Sequence, residues 1–341
     1  MRLEHLGWSG HFAACFEEWR ARGCEAGRVC AASREFCRLL TEGGERRAVF
    51  GHDAATVPVA GDWVAVGDGM IQSILPRRTK VSRKAAGRST AEQVLAANVD
   101  VAFVVMGLDG DFNLRRVERY LVAAWQSGAR PVILLNKADL HRNTDGQVVA
   151  VEALAPGVPV LALSAATGEG LDQLDGIVHP GETAVLLGSS GTGKSTLVNR
   201  LLGAQCQHTA SVRESDSRGR HTTSHRELFR LPSGWLLVDT PGLRELQLWA
   251  GGEALDRAFS DIEELAQECR FRDCRHQGEP GCAVARAVAE GSLDEARLAN
   301  FDKLQREVAY TNRRQDQASA LAEKRRWKAI HKAQREFYKR S

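Results

Sequence analysis

The sequence contains no apolar run approaching the roughly 20 residues that a membrane-spanning helix requires. Its longest runs, such as Val101-Ala102-Phe103-Val104-Val105-Met106, stop at the length of a strand, which excludes a span. A large excess of either charge is also missing, since 46 Lys and Arg oppose 43 Asp and Glu for a net +3. Any anionic partner must therefore meet local basic patches rather than a polycation. The opening Met1-Arg2-Leu3-Glu4-His5-Leu6 is interrupted by charge and has no apolar core of the secretory kind, so the expected location is the cytoplasm. Thiols stay reduced there, and the eight cysteines do not imply disulfides. With 43% apolar and 26% charged residues the chain is neither wholly disordered nor collagenous nor a coiled coil. Its 341 residues provide for two or three domains.

Residues 1–27 are of mixed polarity, with a short helix over Phe12 to Arg22 the only element they offer. Five short strand-like runs follow, at Arg28 to Ala32, Glu35 to Leu40, Arg46 to Phe50, Asp62 to Val66 and Met70 to Leu75, separated by glycine-rich turns. Their spacing predicts a small five-stranded β-barrel of the OB kind over 28–84, a fold that often binds single-stranded nucleic acid but hosts other ligands too. Arg77 to Arg88 carries six Lys or Arg and no acid. It reads as a linker, and its charge fits either nucleic-acid contact or simple solvation.

Over 85–250 buried strands alternate with amphipathic helices, the pattern of a parallel sheet covered on both faces. Strands are expected at Val99 to Met106, Pro131 to Leu135, Val158 to Leu163, Thr183 to Leu187 and Trp235 to Asp239. Val117, Tyr120, Leu121, Ala124 and Trp125 recur on one helical face, Gly128 stops that helix, and Lys194 to Leu202 forms another. Glu227 to Leu231 pairs with Trp235 to Asp239 as an antiparallel hairpin around Pro232-Ser233-Gly234. From Gly251 onward strand signals cease and a mostly helical domain, 251–341, is expected.

Gly188-Ser189-Ser190-Gly191-Thr192-Gly193-Lys194-Ser195, followed by Thr196, fits G-x-x-x-x-G-K-[ST] between a strand and a helix. Glycines let successive backbone N–H groups face phosphate oxygens, and the helix N-terminus adds positive partial charge. Lys194 is placed to reach the β and γ phosphates and Ser195 to ligate Mg²⁺. Asp239-Thr240-Pro241-Gly242 ends a neighbouring strand, where the aspartate can hold Mg²⁺ and the Gly242 amide can approach the γ-phosphate. Asn136-Lys137-Ala138-Asp139 ends another. A buried carboxylate at Asp139 can accept from guanine N1–H and the 2-amino group, a bond that adenine cannot make, so GTP is expected over ATP. The Asn136 amide can bond the base edge, the Lys137 stem can lie over it, and Ser164-Ala165 can offer backbone N–H to guanine O6.

Between the P-loop and Asp239 lies Gly219-Arg220-His221-Thr222-Thr223, where a switch loop belongs. Thr222 or Thr223 can complete a Mg²⁺ shell or sense the γ-phosphate. Arg213, Arg218 and Arg220 around them can meet phosphate, RNA or only solvent. Many GTPases orient the attacking water with a glutamine after D-x-x-G. Leu243 stands there and cannot. Cys269, Cys274, His276 and Cys282 form C-x4-C-x-H-x5-C, a donor set matching the closed tetrahedral shell of structural Zn²⁺. Cys15, Cys24, Cys30, Cys37 and Cys206 lack such spacing and read as ordinary thiols. Residues 313–341 hold ten Lys or Arg against three acids, with Trp327, Phe337 and Tyr338 interspersed. That composition fits either an RNA-contacting helix or a solvated one.

In most GTPases the P-loop precedes N-K-x-D, whereas here Asn136-Lys137-Ala138-Asp139 and Ser164-Ala165 come before it. This permuted order, the barrel in front and the Cys/His cluster behind resemble the RsgA (YjeQ) family of circularly permuted GTPases over about residues 28–300. The resemblance implies GTP hydrolysis coupled to late maturation of the 30S ribosomal subunit, with GTP/GDP, Mg²⁺ and one Zn²⁺ as cofactors. The 30S subunit and its 16S rRNA are the implied partners of a monomer. It further implies that the Gly219 to Thr223 stretch is switch I and that His221 positions the water. One alternative stays open on the sequence, an RNA-binding assembly factor for which GTP is a binding switch and turnover incidental. A zinc or P-loop enzyme of small molecules is another.

Overall fold

The computed structural model describes residues 1–33, 35–50, 57–84, 92–110, 112–203, 226–239 and 252–314. The chain divides into two compact units, one of Met1–Ser82 with Val94–Leu246 and one of Arg83–Gln93 with Gln247–Ser341.

In the first unit, strands β1 (Glu25–Ala32), β2 (Cys37–Thr41), β3 (Gly44–Ala48), β4 (Trp63–Gly67) and β5 (Met70–Ile74) pair in the order β3-β2-β1-β4-β5. A parallel bridge from Val49 to Met70 joins the two ends, so the five strands close as the OB-like barrel expected. Val29, Cys37, Leu39, Ala48 and Val64 fill it. Helix α1 (Gly10–Ala21) starts earlier than Phe12 and carries Phe12 and Phe16 inward, where Trp8 and Phe12 meet the fully buried Trp63. The basic stretch expected as a linker contains strand β6 (Lys80–Lys84), which pairs with β7 (Glu92–Ala97). Backbone pairing there gives the stretch a strand that its composition, which fits nucleic-acid contact or solvation alike, does not signal.

The central sheet continues with β8 (Val101–Gly107), β9 (Arg130–Asn136), β10 (Val160–Ala162), β11 (Thr183–Leu187), β12 (Glu227–Arg230) and β13 (Leu236–Asp239). Its order is β10-β9-β8-β11-β13-β12, parallel except for β12, which forms the expected hairpin with β13. Every residue of β8 and β11 is buried, as sheets covered on both faces require. Val101, Phe103, Val105, Val132, Leu134, Ala184, Leu186 and Trp235 share one core, and by strand alternation Ala102, Val104 and Met106 face the other side. Helix α2 (Leu114–Ser127) packs against β8 and β9, with Asn113 capping its N-terminus and Gly128 in the left-handed region ending it. Helices α3 (Asp145–Leu154) and α4 (Lys194–Leu202) precede β10 and follow β11.

The second unit holds α5 (Gly252–Ala258), α6 (Ser260–Gln267), α7 (Ala283–Ala289) and a helical segment over 295–314. Phe259 and Phe301 rings lie 5.3 Å apart in its core. The buried Arg297 pairs with Asp261 at 2.6 Å and lies over the Phe259 ring. Among the described residues no helix is long and apolar enough to cross a membrane.

Arg28 ties the first unit together. It is 1% exposed. Its guanidinium donates to the Leu6 carbonyl at 2.6 Å, the Asn98 carbonyl at 3.1 Å and the Thr183 hydroxyl at 3.0 Å, so one side chain joins the N-terminal turn, the barrel and the start of β11. It also lies over the Trp63 ring. Burial pulls its pKa down to about 10, which leaves it charged at neutral pH. Arg28→Met is expected to orphan those three acceptors and cost about 3 kcal/mol. Chemical denaturation followed by tryptophan fluorescence checks this, and a wild-type midpoint would contradict it.

Candidate functional site at the strand ends

Because β10, β9, β8, β11 and β13 are parallel neighbours, their carboxyl ends lie along one edge of the sheet. This is where open α/β sheets bind ligands. Asn136 is the last residue of β9, Ser164 lies just beyond β10, Gly188 follows β11 directly, and Asp239 ends β13. The structure thus assembles motif segments that are up to about a hundred residues apart in the chain.

The loop from Gly188 to Gly193 turns into α4, whose first residue is Lys194. Thr192 is buried, and its hydroxyl donates to the Ser189 carbonyl at 3.1 Å, tightening the loop. Ser190, Gly191, Ser195 and Thr196 are exposed at its mouth. The Lys194 ammonium lies against the loop, donating to the Gly188 carbonyl at 2.6 Å and to that of Ser189. A glycine-rich loop that leads into a helix N-terminus with a lysine folded against it is an arrangement that can receive phosphate groups.

Asn136 binds this loop to the neighbouring ones. The residue is 1% exposed. Its Nδ2 donates to the Thr192 carbonyl at 2.8 Å, and its Oδ1 accepts from the Ala165 amide at 2.9 Å. Gly193, at φ +89°, passes so close that an added Cβ would lie 2.2 Å from Asn136 Nδ2, so only glycine fits. The Asn136 amide thus bridges two protein loops, a use the sequence expectation of a base-edge contact did not include. From α4, Arg200 Nε donates to the Ala165 carbonyl at 3.3 Å, and the same guanidinium bonds that of Ala166.

Asp139 lies in a short turn, Ala138–Leu140, and its Oδ1 accepts from the Ser164 hydroxyl at 2.5 Å. Ser164 is fully buried but Asp139 is exposed, contrary to the expectation of a buried carboxylate. The reason is local. Lys137 adopts the left-handed conformation (φ 70°, ψ 33°) and turns the chain outward from β9 before Asp139 is reached. The Lys137 ammonium pairs with Asp109, in the loop after β8. Sequence reasoning missed Asp109 and Arg200, which belong to no motif. An acid immediately beyond a buried strand was the one available signal for Asp109.

Asp239 is half-buried and faces Glu227 in the β12–β13 ladder. His221, Thr222, Thr223, Gly242, Leu243, Arg213, Arg218, Arg220, Cys206 and the tail 315–341 lie outside the described residues.

The second unit contains the donor cluster. Cys269, just after α6, Cys274 and His276 in the following loop, and Cys282 at the N-cap of α7 bring one donor atom each to within 4.8 Å of one another. Cys282 Sγ lies 3.4 Å and Cys269 Sγ 3.7 Å from His276 Nδ1. The Ala285 amide donates to Cys282 Sγ at 3.3 Å. Burial raises the Cys269 thiol, but hydrogen bonds with the Val284 and Ala283 amides and with the Cys282 and Cys274 side chains together hold it below its ordinary value. Amides aimed at sulfur favour thiolate, the form that binds metal. By contrast, burial pushes Cys30 and Cys37 up to about 12, leaving inert core thiols.

The geometry makes Asn136 the brace between the P-loop and the Ser164-Ala165 loop. Asn136→Ala is expected to speed backbone amide exchange at Ala165 about tenfold, the size of one lost buried hydrogen bond. Unchanged exchange in this variant would remove the bracing role.

The sequence profile of the RsgA GTPase family matches residues 74–249. A protein of Opitutus terrae named small ribosomal subunit biogenesis GTPase RsgA is 48% identical, covering 98% of this chain and 97% of that one. A protein of the same name from Streptomyces coelicolor is 46% identical, covering 97% and 94%. Among solved structures, YloQ, described as a circularly permuted GTPase, superposes with a TM-score of 0.60 at 25% identity, covering 84% of this chain and 95% of that one. YjeQ from Thermotoga maritima shares the fold with a TM-score of 0.61 at 24% identity, covering 84% and 99%. The motif order, the sheet that gathers the motifs and the near-full-length identity agree, and the chain belongs to the RsgA family of circularly permuted GTPases.

Proposed function

We propose that this GTPase acts in late maturation of the small ribosomal subunit, binding the 30S particle and its 16S rRNA in the cytoplasm as a monomer, with nucleotide state coupled to association. The relatives' printed name supports the ribosomal role. The observation that carries the guanine reading is the bond from the buried Ser164 hydroxyl to Asp139 Oδ1, which fixes one carboxylate oxygen and leaves its edge to the purine N1–H and 2-amino donors.

In this reading Gly188, Ser189, Ser190, Gly191, Thr192 and Gly193 cradle the phosphates with backbone amides, and Lys194 turns its ammonium from the loop carbonyls to the β and γ oxygens. Thr196 stands in the first turn of α4, where its amide also faces the phosphates. Ala165 and Ala138 line the base, and Lys137 lends its stem. Ser195 and Asp239 are the residues to hold Mg²⁺, which supplies charge neutralisation at the phosphates when bound. The Gly242 amide, the switch threonines Thr222 and Thr223, and His221 as the group orienting water complete the assignment. With Leu243 in place of a glutamine, the chain's own turnover is expected to be slow. Cys269, Cys274, His276 and Cys282 fit one Zn²⁺, and four protein donors close its shell, which gives it a folding role.

The test is GTP hydrolysis with and without purified small subunits across a salt series. Multiple-turnover stimulation of about 100-fold that fades with salt is expected if anionic RNA is the partner. A rate indifferent to subunits would defeat the assembly-factor reading. Chelation of zinc is expected to melt the second unit selectively, detected as loss of helical circular dichroism while GDP binding persists. Retention of full helicity after verified metal loss would contradict the structural assignment.

A further inference from the structure

We propose that Asp109 is a positioning residue for guanine selectivity: its carboxylate holds the Lys137 ammonium away from Asp139, so that the Asp139 carboxylate stays available to the base. The inference rests on the reading of Asp139 as the guanine acceptor.

Lys137 stands two residues before Asp139 on one short turn. An ammonium two residues from a carboxylate can compete with a ligand for it by Coulomb attraction. Asp109 is bonded to Lys137 Nζ instead. The pair is not a loose surface contact, since the side chains are 28% and 31% exposed, and partial burial reduces screening by salt. The position of Asp109 is itself fixed. Gly107 closes the β8–β9 ladder opposite Asn136, and the Leu108 amide donates to the Asn136 carbonyl at 2.7 Å. The Phe112 amide then donates to the Asp109 carbonyl at 3.0 Å. An added Cβ at Gly107 would lie 3.1 Å from Asp109 Oδ1, so glycine there gives the carboxylate room to fold back towards β9. Lys137 is held in a left-handed conformation that a lysine seldom adopts. Such strain persists where surrounding contacts over-determine it, and the Asp109 pair is one of those contacts.

A carboxylate that merely stabilised the loop would affect all ligands alike, whereas one acting through Lys137 affects the base alone. The full-length protein is therefore titrated with GDP, IDP, ADP and pyrophosphate. IDP lacks the 2-amino group and makes one bond to Asp139 where GDP makes two. Asp109→Asn is expected to weaken GDP about tenfold, the scale of one charge-assisted hydrogen bond. IDP is expected to weaken about threefold and pyrophosphate not at all, so the GDP-to-IDP preference narrows. In a Lys137→Ala background the same change is expected to have almost no further effect on GDP. An unchanged GDP-to-IDP ratio, or equal losses in both backgrounds, overturns the role. Should Asp109→Asn lose pyrophosphate as well, Asp109→Glu decides: restoration of the GDP-to-IDP ratio supports the role, and any other result overturns it. A wild-type protein that binds GDP and ADP equally overturns the guanine reading itself, and the Asp109 role with it.

Discussion

Asn136 is the constraint on which the nucleotide site depends. A single buried amide at the end of β9 donates to the Thr192 carbonyl in the P-loop and accepts from the Ala165 amide after β10. Both partners are backbone groups of loops far apart in the chain. The P-loop and the Ser164-Ala165 loop are therefore held together, and Gly193 is glycine because the same amide occupies the space a side chain would need. Arg200 repeats the connection from α4. Buried polar groups hold their surroundings through such pairing, and both Nδ2 and Oδ1 of Asn136 have a backbone partner.

The permuted order of the motifs has no cost at this site because the site is defined by strand neighbours, not by chain order. β9 and β10 lie on one side of β8, and β11 and β13 on the other, all parallel. The covalent connections can be cut and rejoined elsewhere so long as that arrangement survives. What the permutation changes is what each end of the domain is attached to. The barrel now leads in, and the hairpin strand β12 meets β1 of the barrel through Ala31 and Glu227. Arg28 reinforces this attachment from the buried side by reaching Thr183 at the start of β11.

The fold was legible wherever burial imposes a period. The all-apolar β8 and β11, the helix stopped by Gly128 and the turn at Pro232-Ser233-Gly234 were readable because each follows from backbone geometry and local composition. The ribbon of β6 and β7 was not, since the basic residues of β6 fit nucleic-acid contact or solvent alike and its pairing is a tertiary fact. Within the site, the residue types of the P-loop, Asp139 and the Cys/His donors could be named from spacing alone. The bridging use of the Asn136 side chain and the outward position of Asp139 could not, because both depend on which loops pack against the end of β9. Asp109 and Arg28 act through long-range contacts across 28 and up to 155 residues of chain. No local pattern records such contacts.

The central claim is that separated strand-end segments form one guanine nucleotide site read by Asp139. It is tested most directly by nucleotide competition on wild-type protein and on Asp139→Asn. The wild type is expected to prefer GTP over both ATP and xanthosine triphosphate by about 100-fold. The substitution should exchange the preference to xanthosine triphosphate, whose base offers an acceptor where guanine offers its amino donor. A wild type indifferent to the base, or a variant that keeps its preference for GTP, would contradict it.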